Sequence, residues 1–175
     1  GTAWVTIGAD FRRPAMRTNE PPYLIEARKD IGQRETLGPN DSPFIRAMLK
    51  RLGLSWLLGQ PWCGTIMADW LTRTGYPVPA KAFRALAWAD YGIRCPGPTQ
   101  GAIAVLTRKG GGHVGIVTGV TRNGSHVRLL GGNQGDAVKE AWFPADRVTA
   151  YRLPAGVQRI PATIATLGAL STGEA

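Results

Sequence analysis

The chain reads as an α+β domain, helices first and an antiparallel sheet after them, on three observations. Before Gly92, apolar side chains recur at helical spacing in runs opened by Ser or Pro and stopped by Gly. From Gly101 the period changes, and short β-rich runs follow one another between Gly-rich breaks. Asn123-Gly124 stands between two of those runs, the dipeptide that best fits a tight hairpin turn. Helices and strands segregated along the chain favour α+β over an alternating βαβ layout.

Taken in order, residues 1–20 carry a short apolar piece, Trp4-Val5-Thr6-Ile7, then a polar stretch, and read as an arm or linker with one possible edge strand. Pro21-Pro22 opens the domain proper, which runs to residue 154. Leu24, Ile25, Arg28 and Ile31 fit a short helix ended by Gly32. Ser42-Pro43 is a helix opening, with Phe44, Ile45, Met48, Leu49 and Leu52 as the buried stripe and Gly53 as the stop. After Gln60-Pro61-Trp62-Cys63, residues Ile66, Met67, Trp70 and Leu71 mark a third helix, with Asp69, Thr72 and Arg73 facing elsewhere and Gly75 ending it. Phe83, Leu86, Ala87 and Trp88 suggest another short helix, and Cys95-Pro96-Gly97-Pro98 a loop. Runs at 102–106, 114–118, 127–130, 137–143 and 148–153 give about five strands. The Ala/Thr/Gly-rich residues 155–175 read as a weakly ordered tail.

The 175 residues suffice for one domain with a real core. No apolar run approaches the roughly 18 residues of a membrane span. No basic-then-apolar signal sequence is visible, which leaves export open. The net charge of +9 points to an anionic partner: nucleic acid, a membrane surface or a cell-wall polymer. The basic residues are dispersed and no nucleic-acid-binding motif accompanies them, so nucleic acid is not expected. A zinc site would need Cys63, Cys95, His113 and His126 together, and no ligand pair stands at local spacing, so neither metal nor cofactor is expected.

Cys63 falls in the first turn of the third helix. Amides without helical partners and the positive end of the helix dipole favour a thiolate there, and a thiolate is the nucleophile. The alternative is a small buried thiol packing the helix. A nucleophilic Cys63 needs a base. His126 alternates with Val127 and Leu129 and so faces solvent, whereas His113 stands at the mouth of a strand beside three glycines. A third group must fix the imidazole tautomer, and Asn133, after the next strand, is placed for it, with Asp136 a less favoured substitute.

Pro61-Trp62-Cys63, Gly112-His113-Val114-Gly115 and Gly131-Gly132-Asn133-Gln134, in this order, resemble the NlpC-type and CHAP-type papain-like cysteine peptidases and amidases that cut bacterial cell walls, closest to a phage-associated subgroup. Glu26-Ala27-Arg28-Lys29-Asp30-Ile31-Gly32 resembles the opening helix of that subgroup. The likeness covers about residues 21–154. Two departures stand out: Gly64 where the family has Ser or Ala, and Gly101-Ala102 where it has Gly-Asp.

The resemblance implies a papain-like fold, with the nucleophile helix packed on the sheet, and a Cys63-His113-Asn133 catalytic set without cofactor. It implies hydrolysis of a peptidoglycan stem-peptide amide in the cell wall or periplasm by a secreted or phage-delivered, bacteriolytic enzyme of endolysin type. The γ-D-glutamyl to diamino-acid bond is favoured over the muramoyl to L-alanine bond. Gln60 is a candidate oxyanion donor and Trp62 a candidate cleft wall; Trp56, Trp88 and Trp142 read as core or cleft lining. An inactive wall-binding or virion module, and a papain-like isopeptidase or acyltransferase, stay open as alternatives.

Overall fold

The computed structural model describes residues 20–171, so all of the expected N-terminal arm but Glu20 lies outside the described residues, with residues 172–175. Among the described residues three α-helices, α1 (Pro22–Lys29), α2 (Pro43–Leu52) and α3 (Cys63–Arg73), precede six strands. The strands are β1 (Ile93–Cys95), β2 (Ile103–Arg108), β3 (Gly111–Val120), β4 (His126–Gly131), β5 (Lys139–Pro144) and β6 (Val148–Leu153). They form one antiparallel sheet in the order β1-β6-β2-β3-β4-β5. The fold is α+β.

Local chemistry sets the helix ends. Ser42 Oγ accepts from the Ile45 amide at 3.2 Å and caps α2, while Gly53 at φ 70° closes it in a left-handed turn. In α1 the buried residues are Tyr23, Leu24 and Ala27; Ile25 and Ile31 stay exposed. Arg28 ties that helix to the sheet, forking Glu20 and reaching Glu140 on β5 at 3.2 Å. Helix α3 is buried without a break from Cys63 to Leu71. Asp69, off the apolar stripe, is nonetheless 1% exposed, with Arg51 and Arg73 folded over its carboxylate at 2.8 and 3.3 Å.

The sheet separates two apolar clusters. Ile66, Met67, Trp70 and Leu71 of α3, with residues of α1 and α2, pack on Ile103, Val105, Val114, Ile116 and Leu130. The alternate residues Ala104, Leu106, Val117, Val127, Leu129 and Phe143 form the second cluster.

Four expectations change. The helix expected around Phe83–Trp88 is only a 3-10 turn, Ala85–Trp88, held by the Trp88 indole donating to Ala82 O at 2.8 Å. The sheet has six strands, because the residues before Pro96 pair with β6; three residues are too few to show a period. Gly111 and Gly112 before His113 belong to β3, Arg108 pairing with Gly111 across a Lys109-Gly110 turn in which Gly110 has φ 83°. Residues 155–171, expected to be weakly ordered, instead run as a strap against the sheet. Backbone bonds join Gln100 to Ile160, Val120 to Thr163 and Ala165, and Trp142 to Ala169 and Ser171, and Ala162 enters the second cluster. Composition shows small side chains but not the edges they pair with.

Candidate active site

Cys63 is the first residue of α3, immediately after the Trp62 cap position, and Ile66 N bonds to Trp62 O at 2.9 Å. The side chain is 4% exposed and opens onto a cleft of about 640 Å³. Burial pushes the thiol above its ordinary range. The amides of Val114, Gly64 and Cys63 itself and the charge of Arg108 pull the other way without overcoming it. The amides at the helix start favour the thiolate, but desolvation outweighs them. The Val114 contact fixes the wider geometry, since it brings the sulfur to the residue following His113.

Gly64 has a structural reason. A Cβ there would lie 2.7 Å from Phe83 O and 2.8 Å from Ala82 O, so the 82–83 backbone can close against the first turn of α3 only over a glycine.

The His113 imidazole is fully buried, stacks on Phe143 with ring centroids 5.5 Å apart, and places Nε2 2.9 Å from Gln134 Oε1. The Gln134 amide is oriented by its other contacts: Nε2 donates to Leu129 O at 3.0 Å and Lys139 O at 2.6 Å. Its oxygen must then be the atom facing the ring, and an amide oxygen only accepts. His113 Nε2 accordingly carries the proton. In the neutral ring the lone pair belongs to Nδ1, an atom shut off from solvent.

Gln134 thus occupies the orienting position for which the sequence indicated Asn133, a correction of one residue. Asn133 adopts φ 56°, a left-handed conformation that Asn tolerates, and its side chain turns toward α3. Asn133 Oδ1 accepts from the Trp62 amide, and Nδ2 donates to Glu35 Oε1 at 2.8 Å. The same Glu35 oxygen accepts from the Trp62 indole at 3.1 Å. Glu35, Asn133 and Trp62 form a brace on the turn that presents Cys63. Asp136 is exposed, and its backbone oxygen accepts from the Glu35 amide at 3.0 Å.

Trp62 is also corrected. It is a core residue, 2% exposed, and does not line the cleft; Gly132 makes room for it, since a Cβ there would lie 2.7 Å from its ring. Gln60 does line the cleft with Cys63. Trp88 is core, Trp142 lies under Arg128, and Trp56, 69% exposed, packs edge-on to the cleft residue Phe83. His126 is half-buried on β4, with Nδ1 2.8 Å from Ser125 Oγ.

Gln134 and Glu35 went unread in the sequence for different reasons. Gln134 stood inside a noted motif but beside a residue type better known in that role. Glu35 sits in a polar loop with no pattern around it. Both cysteines are thiols rather than half-cystines. Among the described residues, no group of three or more His, Cys, Asp and Glu side chains is placed to hold a metal, and no helix is long and apolar enough to cross a membrane. No family model, curated protein or solved structure matches the chain.

Proposed function

We propose that this chain is a papain-like peptidoglycan hydrolase that cleaves a stem-peptide amide through a Cys63 thioester. The observation that carries the reading is the juxtaposition of Cys63, at a helix start on a cleft floor, with the strand of His113, whose tautomer Gln134 dictates. The motif resemblance supports the substrate class.

On this reading His113 Nδ1 takes the Cys63 proton as the substrate carbonyl arrives, and the sulfur bonds to the carbonyl carbon. The oxyanion is met by the Cys63 amide and by Gln60 from the cleft wall. The carbon–nitrogen bond breaks, and the imidazolium returns its proton to the leaving amine. A water, giving a proton to His113, attacks the thioester and releases the acid and the thiol. The proposed bond joins γ-D-glutamate to the diamino acid, and the site of action is the bacterial cell wall or periplasm. The chain's positive charge would hold it near anionic envelope polymers.

A wall-binding module without turnover is the second reading, favoured by how closely both the thiol and the imidazole are buried. Digestion of purified peptidoglycan of several chemotypes, with products weighed by mass spectrometry, separates the two. Hydrolysis predicts new amine-bearing fragments with the wild type and none with Cys63→Ala. Wall binding without fragments from either protein would favour the module.

A further inference from the structure

The cleft above Cys63 is charged in one sense only. Among the described residues that line it, Lys81, Arg84 and Arg108 are cationic and none is acidic. All three are exposed, and among the described residues none of them forms an ion pair. Elsewhere Arg28, Arg51, Arg73 and Arg128 each meet a carboxylate. Apart from Gln60 and Cys63 itself, the rest of the cleft is apolar, with Leu57, Phe83 and Leu86 in the walls and bare backbone at Gly110, Gly111 and Gly112. Leu86 crosses the Gly112 backbone so closely that a Cβ there would lie 2.5 Å from it.

Arg108 has a second tie to the nucleophile. It ends β2 beside the Lys109-Gly110 turn, its Nε reaches Gly112 O at 3.4 Å, and its charge favours the Cys63 thiolate. Arg108 and Cys63 line the same cleft, so an anionic group attached beside the carbon that the sulfur attacks would share that cleft with the guanidinium.

From this arrangement we infer that the cleft selects acyl substrates carrying a carboxylate close to the scissile carbonyl, held by Arg108, Arg84 and Lys81, with the apolar walls taking the neighbouring side chain. The inference rests on Cys63 being the nucleophile and narrows its substrates to anionic ones. A neutral or amidated counterpart would lose the cationic contacts while keeping the apolar ones.

The smallest matched pair of probes is iodoacetate and iodoacetamide, which place a carboxylate or its neutral amide next to the carbon that sulfur attacks. The experiment measures alkylation rates at Cys63 in the full chain, read by peptide mass spectrometry, with free cysteine as reference. The ratio of the two rates cancels any change in the thiol's own reactivity, including that from losing Arg108. The expected result is an iodoacetate-to-iodoacetamide ratio above that of free cysteine and falling with added salt. Each of Lys81→Gln, Arg84→Gln and Arg108→Gln should lower it by about two- to fivefold, as partly exposed ion pairs do. A ratio equal to that of free cysteine, or one unmoved by all three changes while Cys63 still reacts, would overturn the inference and leave the nucleophile standing. Cys63 inert to both reagents would overturn the nucleophile, and the inference with it.

Discussion

Cys63 and Cys95 are buried to the same degree, 4% and 3% exposed, yet their surroundings ask different things of a sulfur atom. Cys95 ends the short strand β1 opposite Tyr151 and packs with Ala102 and Leu153 in the second apolar cluster. Its thiol fills space. Cys63 begins a helix, collects three backbone amides and the field of Arg108, and forms part of a cleft floor. The contrast teaches that burial alone does not make a cysteine inert. What matters is whether the groups around it stabilise the anion and whether a substrate can reach it.

The largest expected effect comes from removing each sulfur in turn. Cys63→Ala should lower peptidoglycan turnover about a thousandfold or more, as loss of a nucleophile does. Cys95→Ala should leave turnover intact and cost about 1 kcal/mol in denaturant unfolding, the scale of a small core deletion. Equal losses from the two changes would erase the distinction between them.

Next come the residues that orient His113. Gln134→Leu removes the acceptor that fixes the tautomer, and turnover should fall by about 10² to 10⁴. The same change takes the donor from the buried Leu129 carbonyl and the part-buried Lys139 carbonyl, so unfolding free energy should drop by about 1–3 kcal/mol. Asn133→Ala, acting only through the Trp62 turn, should cost about tenfold in turnover. The reverse order would restore Asn133 as the orienting group.

That order also measures how far the sequence could be read. The cap at Ser42, the stops at Gly53 and Gly75, the start of α3 at Cys63 and the β3–β4 hairpin all rest on local chemistry, and local chemistry is written in the residues themselves. The partner of His113 is set by a positive φ at Asn133, which turns one side chain toward α3 while its neighbour meets the ring. No periodicity announces such a reversal. Long-range pairing was equally hidden: Glu35 meets Asn133 and Trp62 across the fold, and the strap over 155–171 is held by backbone bonds that any sequence can make. The burial of Asp69 was hidden in the same way, because one of its two arginines, Arg51, comes from another helix.

Two smaller effects sharpen the comparison. Gly64→Ala should push the 82–83 backbone off the first turn of α3 and cost about 1–3 kcal/mol, the scale of overpacking. The Cys63 thiol is held above its ordinary range by burial, so its alkylation by neutral iodoacetamide should rise with pH through and beyond that range. Arg108 favours the thiolate, so Arg108→Gln should move the midpoint of that rise to still higher pH. A midpoint that falls on losing Arg108 would contradict the stated electrostatics.

The most direct test of the central claim is to catch the acyl group. Wild-type protein mixed with soluble muropeptides, quenched in acid during turnover and digested, should yield a Cys63 peptide heavier by the acyl half of the substrate. That added mass should disappear on treatment with hydroxylamine and should never occur on Cys95. Product released equally well by Cys63→Ala, or an acyl group found on another residue, would contradict the account.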